Sequence, residues 1–496
     1  MHRLSPLSRR LFLVPFALVA ACASGENSAS APPVVPDSVH LSRAIAGLRP
    51  QVEIEGRPAQ RWSLTERMAH YKVPGIGVAI ISGGKIVWAG GFGVKEAGSN
   101  DSVTAGTLFQ AASISKPVTA TAMLRLVSEG KIALDTNVNR YLKSWQVPDN
   151  KFTATEKVTL RRIASHSAGL TVHGFPGYEA GKPVPSVVQV LNGQKPANTA
   201  PVRVDTTPGA ISRYSGGGTT IEQLVLTEVT GEPFPALMKR LVLDPAGMTL
   251  STYEQPLPEA RWPEAARGYR SDGSMVPGRW HTYPEMAPAG LWTTPTDLAK
   301  WALAIAAAHA GGDTTLLPRA IADQMLTVQK GTFGIGPSVE GSGRSFRFGH
   351  GGANEGYRAN LLYYPDAGVG IAVMTNSDLG DDLFSELQYA IAAEYDWPDF
   401  GPTKVRAVVR DSASLSPFVG VYTLRYDRQE FPLTVTLDGG TLNFKFPFTP
   451  EKVELVPTDS AGGFNTADRG WRVVFVGDSV KITPDPETTI PGTRNK

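Results

Sequence analysis

A hydroxyl and an amine three positions apart on a helix share one face, so the amine can take the proton as the oxygen attacks a carbonyl. The chain holds this S-x-x-K spacing three times, at Ser82/Lys85, Ser113/Lys116 and Ser128/Lys131. Ser82 falls in the glycine turn Ser82-Gly83-Gly84, where no helix fixes the pair, and Ser128 ends a helix that Gly130 terminates before Lys131. Ser113 instead opens a helix whose body runs from Thr119 to Glu129, with Pro117 tolerated in its first turn. The free amides and positive dipole end at a helix start disfavour a protonated Lys116 and lower its pKa from the usual value of about 10.4. A neutral amine is a base. Taken alone, Ser113 reads more readily as a simple helix N-cap, and other residues have to reverse that preference.

Two further segments do so. Tyr214 lies in Pro208-Gly209-Ala210-Ile211-Ser212-Arg213-Tyr214-Ser215-Gly216, a glycine-bearing loop before a helix, where a buried or lysine-paired phenol shuttles protons. His350-Gly351-Gly352 follows a strand pattern and opens a glycine-rich approach, letting a substrate lie against the strand edge. Their plain alternatives are loop packing for the tyrosine and a turn with a surface histidine. There is no G-x-S-x-G elbow, H-E-x-x-H or phosphate-binding loop, and His166 and His173 lack the usual paired zinc spacing. No metal and no cofactor are expected.

The elements that must position these groups follow from periodicity. Gly75 to Ile81 and Lys85 to Gly93 read as two antiparallel strands, and Ala122, Met123, Leu126 and Val127 form a helical stripe. Helical patterns recur at Thr220 to Thr230, Phe234 to Leu243 and Thr296 to Ala308, and strands return at Arg344 to Gly349, Arg358 to Tyr364 and Val369 to Thr375. Strands thus bracket a helical insert, which predicts an α/β (α+β) body with one antiparallel sheet closed by distant segments and flanked by helices. We place this body at 38–402. After it the chain changes to short β runs with glycine turns, from Phe418 to Thr483, so 413–496 is expected to be a small all-β sandwich or barrel.

A chain of 496 residues with 42% apolar and 19% charged residues suits several globular domains. Its net charge of +2 offers no footprint for nucleic acid. Arg3, Arg9 and Arg10 before the apolar run Leu11 to Ala21 read as an export signal over 1–22, too short to span a bilayer as a stable anchor. Ser8-Arg9-Arg10-Leu11-Phe12-Leu13 resembles a twin-arginine signal. Val19-Ala20-Ala21-Cys22 resembles a bacterial lipobox, so Cys22 is expected to carry a lipid that ties the protein to a membrane; cleavage after Ala23 is the alternative. Residues 23–37, rich in Ser, Ala and Pro, read as a tether. The expected location is the periplasm or cell envelope.

Ser113 with Lys116, Tyr214 with Ser215, and His350-Gly351-Gly352 occur in an order that resembles the serine β-lactamase and penicillin-binding-protein superfamily. The nearest branch is that of class C β-lactamases, D-Ala-D-Ala carboxypeptidases and family VIII carboxylesterases. The surroundings agree over roughly Val73 to Asn376, including Thr107-Leu108-Phe109-Gln110-Ala111-Ala112, His166-Ser167-Ala168-Gly169-Leu170 and Ala289-Gly290-Leu291. Thr294-Pro295-Thr296-Asp297 looks like another family block and reads physically as a capped helix start, with Thr294 and Asp297 forming a capping box. The resemblance implies that Ser113 attacks a carbonyl, that Lys116 and Tyr214 manage the protons, and that the backbone amides of Ser113 and Ala353 form an oxyanion hole. It further implies that His350, Gly351, Gly352 and Ser215 line the substrate site, with His350 orienting substrate or contacting its carboxylate; as a charge it serves only when protonated.

Two departures bear on substrate. Gly216 replaces the amide of Y-x-N, and Gly351 replaces the threonine of K-T-G, which removes a hydroxyl able to bind a carboxylate. Both losses suit a smaller or more apolar acyl group, as in the esterase branch, and leave slow β-lactam cleavage open. The expected reaction is hydrolysis of an ester or amide of carboxylesterase, β-lactamase or D-Ala-D-Ala peptidase type, on a small-molecule or peptide substrate. The competing reading is a sensor or cell-wall binding protein that is acylated without turnover, or not acylated. Phe418-Val419-Gly420-Val421-Tyr422 resembles the opening of lipocalin-like modules appended to such hydrolases, with a bracing or ligand-binding role.

Overall fold

The computed structural model describes residues 36–426, 429–447, 452–485 and 488–495. The export signal, Cys22 and nearly all of the tether lie outside them. Asp37, expected as the last tether residue, opens helix α1 (Asp37–Ala46).

The body is built on one six-stranded antiparallel sheet of β1 (Gly75–Ser82), β2 (Lys85–Gly93), β3 (Ser338–Glu340), β4 (Arg347–Asn354), β5 (Tyr357–Tyr364) and β6 (Val369–Thr375). Its spatial order is β2-β1-β6-β5-β4-β3, so the first hairpin joins the other four strands through the β1–β6 pair. Strand alternation explains why β1 and β6 are apolar throughout: Ile76, Val78, Ile80, Ile371 and Val373 face one core, while Ala79, Ile81, Ala372 and Met374 face another.

Helix α2 (Ser115–Ser128), helix α3 (Gly216–Thr230), the short α4 (Met286–Ala289) and α5 (Pro295–His309) belong to the insert and pack on the larger core. Helix α6 (Gly380–Glu394), which the sequence reading did not single out, joins α1 on the opposite face through Leu383, Leu387 and Ile391. The run Phe234 to Leu243 is helical only to Met238 and continues as a π turn over Lys239–Leu243. Thr294 caps α5 as expected, its Oγ1 accepting the Asp297 N–H at 3.1 Å. The capping box does not form, because the buried Asp297 carboxylate accepts instead from the Leu250 N–H and the Ser251 hydroxyl, both at 2.9 Å.

The C-terminal segment closes into an eight-stranded antiparallel barrel, Gly420–Tyr426 through Thr488–Arg494. Two of its strands, Gly463–Thr466 and Thr488–Arg494, are too short or too polar to stand out in sequence. Tyr422, Leu424, Leu433, Phe444, Phe464 and Phe475 fill its interior, as side chains do in a barrel of this size. It is docked on the body by an Arg57–Glu454 pair (2.8 and 2.5 Å) and an Arg469–Asp382 pair (2.7 Å). A small apolar cluster of Val52, Val405 and Val456 joins them, beside the parallel pairing of Val52–Ile54 with Thr403–Val405.

Candidate active site

Ser113 sits in a 3-10 turn, Ala112–Ile114, that runs directly into α2; the turn and not the helix proper carries it. No side chain caps α2, so the N-cap alternative does not describe Ser113. Its Oγ instead receives the Lys116 Nζ at 2.9 Å. Ala112, just before it, has φ +49°, a left-handed conformation that costs a residue with a Cβ about 1–2 kcal/mol. The surroundings hold the turn there: the Ser115 hydroxyl donates to Ala112 O at 2.5 Å and accepts the Leu291 N–H at 3.0 Å.

Lys116 is 4% exposed, and its second partner is the carbonyl of Pro288 in α4 at 3.0 Å. Pro288 escaped the sequence reading, since it contributes only backbone and lies 172 residues away. Desolvation pushes the Lys116 pKa from 10.5 down to about 7. As an ammonium Nζ donates to both Ser113 Oγ and Pro288 O; once neutral, it can keep one N–H on Pro288 O and turn its lone pair to the Ser113 hydroxyl. Here burial dominates where sequence had suggested the helix dipole.

Tyr214 precedes α3, with Lys116 Nζ 4.9 Å from its ring centre. Burial raises the phenol well above its usual pKa, a rise the neighbouring Ser113 hydroxyl opposes, so the phenol stays protonated. Its Oη lies 3.4 Å from His350 Nε2. His350 Nδ1 is 2.6 Å from the Gly351 carbonyl, which only accepts, so Nδ1 carries the proton and Nε2 is left to accept from Tyr214. Burial, then the Lys116 charge, pushes the His350 pKa down to about 4. The imidazole is therefore neutral at pH 7 in this arrangement, with Nδ1 on the Gly351 carbonyl and Nε2 towards Tyr214, so it brings hydrogen-bonding atoms and no positive charge to the site.

His350 through Ala353 belong to β4, which continues past Gly349, where sequence had ended the strand. Strand β3 covers only Arg347 to Gly349, leaving the rest of that edge open. Gly349 turns its carbonyl to the β3 side, where it accepts the Ser338 hydroxyl at 2.9 Å. By strand alternation Gly351 and Ala353 present their backbone groups along the same uncovered edge. A Cβ on Gly352 would stand 2.2 Å from Ala111 O, so glycine lets β4 lie against the serine turn. A Cβ on Gly351 would meet nothing nearer than 4.0 Å, and the space for a larger side chain is free.

Ser215 is 4% exposed. Its buried Oγ accepts the Gly218 N–H at 3.0 Å as the N-cap of α3 and donates to Thr171 O at 2.8 Å, so its role is to hold the helix start. Segment Thr171 to Phe175 lies over that start: a Cβ on Gly216 would be 3.0 Å from both His173 O and the Phe175 ring. The position of the missing amide is thus crowded by the chain itself.

Comparison with known proteins places the chain in a family. The beta-lactamase family model matches residues 63–395. Penicillin-binding protein 4 of Amycolatopsis lactamdurans is 26% identical over 344 residues, covering 65% of this chain and 85% of the relative. The D-aminopeptidase of Brucella anthropi is 24% identical over 423 residues, 81% of this chain and 73% of the relative. The solved octameric penicillin-binding protein homologue from Pyrococcus abyssi superposes with a TM-score of 0.58 at 22% identity, over 87% of this chain and 98% of that one, which shows a shared fold. With the match spanning most of the body, the chain belongs to the beta-lactamase family and is a serine hydrolase of that family.

Proposed function

We propose that this protein is an exported hydrolase that forms an acyl-enzyme on Ser113 and cleaves esters or amides whose acyl part is small or apolar and bears no carboxylate. The observation that carries the reading is the 2.9 Å contact between Ser113 Oγ and a buried lysine whose pKa falls to about 7. Burial moves Lys116 and Tyr214 in opposite directions, which makes the amine the base and the phenol the neutral donor. Lys116 takes the Ser113 proton as Oγ attacks, and the backbone amides of Ser113 and Ala353 receive the oxyanion. The leaving oxygen or nitrogen takes the Tyr214 proton, which the Lys116 ammonium replaces. Water then attacks the acyl carbonyl, giving its proton to Lys116, and Ser113 leaves with that proton.

The substrate reading rests on three features: neutral His350, the open space at Gly351, and the Phe175 ring against Gly216 in place of an amide. None supplies a cation or hydroxyl for a carboxylate. Export, a lipid on Cys22 and an envelope location rest on Ser8 to Leu13 and Val19 to Cys22. The test is to treat the purified protein and Ser113→Ala with a fluorophosphonate and a labelled penicillin. Nitrophenyl esters, a chromogenic cephalosporin and D-Ala-D-Ala peptides are then assayed. We expect labelling that vanishes in Ser113→Ala and turnover of short-chain esters. Labelling that survives the substitution sinks the site, and labelling with no turnover of any substrate favours the sensor.

A further inference from the structure

His166 takes no part in the steps above, yet it grips the loop that carries Tyr214 on both sides. Its carbonyl accepts the Arg213 N–H at 2.8 Å, and its Nδ1 accepts the Ser215 N–H at 3.2 Å. Between those two bonds its ring lies on the Tyr214 ring, centres 4.1 Å apart and planes tilted by 34°. Phe333 closes the other approach to the imidazole edge-on, at 4.6 Å and 81°. The histidine is 3% exposed, held by its own N–H on Ile163 O at 3.1 Å, and adopts φ +54°. A strained, buried residue that binds the amides on either side of a phenol is well placed to fix where that phenol points.

We infer that His166 is the positioning residue for Tyr214, a clamp that holds the phenol over Ser113 through the Arg213 and Ser215 amides and the stacked ring. Because Nδ1 accepts, the proton is on Nε2, and burial keeps the ring neutral, so the clamp does not open over the working pH range. His173 also packs on the Tyr214 ring, centres 4.9 Å apart, and Oη lies 3.4 Å from His350 Nε2, but it is His166 that bonds the backbone amides on both sides of the tyrosine in this irregular loop. Misplacing a catalytic group by an ångström costs on the order of a hundredfold in rate.

The inference rests on the acyl-enzyme reading, so labelling of Ser113 in the wild type is measured first. His166→Phe keeps a flat ring on Tyr214 but removes the Nδ1 acceptor. His166→Asn keeps an acceptor and tolerates a left-handed φ. We expect His166→Phe to lower kcat for a nitrophenyl ester roughly ten- to a hundredfold, with KM changed less than about threefold. His166→Asn should recover kcat to within about fivefold of wild type. In a Tyr214→Phe background the same His166→Phe change should cost under about twofold, because the group it positions is gone. His166→Leu carries the same expectations if the phenylalanine variant does not fold. Wild-type kcat in His166→Phe, an asparagine variant as slow as the phenylalanine one, or losses that multiply with Tyr214→Phe would each overturn the clamp while leaving the Ser113 reading intact. A wild type unlabelled at Ser113 removes both.

Discussion

Lys116→Arg keeps a cation of similar reach on the serine's face of the helix and removes the property on which the proposed chemistry depends, a readily lost proton. Arginine stays charged above pH 12, whereas burial brings Lys116 from 10.5 to about 7. At pH 7 about half of the lysines are then neutral; at an unshifted pKa it would be about one in three thousand, so desolvation raises the base form more than a thousandfold. That ratio corresponds to about 4–5 kcal/mol of differential solvation. The sign follows: the base form grows as pH rises, so wild-type kcat/KM should climb roughly tenfold between pH 6 and 8 and then level off. No descending limb from Tyr214 is expected below pH 10, since burial raises the phenol. Initial rates on a short-chain nitrophenyl ester from pH 5.5 to 9.5, read at a wavelength insensitive to nitrophenol ionisation, give the profile. Lys116→Arg should lose at least about a thousandfold at every pH. A flat profile, an ascending limb near pH 10, or an active arginine variant would refute the assignment of the base.

Further outcomes follow from the same geometry. Tyr214→Phe should lower kcat about a hundredfold with little change in KM, as measured on the same ester, because it removes a proton donor and not a binding surface. Gly352→Ala should abolish fluorophosphonate labelling while the fold survives by circular dichroism, since its Cβ would push β4 off Ala111 O. Gly351→Thr fills open space and restores a hydroxyl, so the penicillin-to-ester ratio of acylation rates should rise. Glu222 is 1% exposed, one carboxyl oxygen has no partner among the described residues, and desolvation raises its pKa to about 8. The folded chain holds this proton where the unfolded chain has lost it, so the stability it contributes is full below about pH 4.5 and is lost as pH rises through about 8. Glu222→Gln should therefore melt close to wild type at pH 4.5 and higher than wild type at pH 9.

Much of the body was readable because its signals are local. The hairpin Gly75–Ser82 and Lys85–Gly93, strand Val369–Thr375 and helix Pro295–His309 follow from periodicity, turn glycines and a proline at the first helical position. Where a neighbour overrode the local signal, the reading failed. Asp297 gave up its capping box to Leu250 and Ser251, and the Ser215 hydroxyl, expected to line the substrate site, is spent on the start of α3. The strand carrying His350 ran on beyond Gly349 because β5 pairs with it as far as Asn354.

What sequence alone determined is Ser113 with Lys116 as the candidate pair, because of the three S-x-x-K spacings theirs stands at a helix start and is followed in order by Tyr214 and His350. The state of those groups was decided by the tertiary structure. A pKa of about 7 for Lys116 requires its burial, and a protonated Tyr214 beside a neutral His350 requires a strand arriving 136 residues later. The clamp of His166 on the tyrosine loop spans 49 residues between Nδ1 and the Ser215 amide. Spacing fixes neighbours within a turn of helix, whereas desolvation and through-space contacts belong to atoms that only folding brings together.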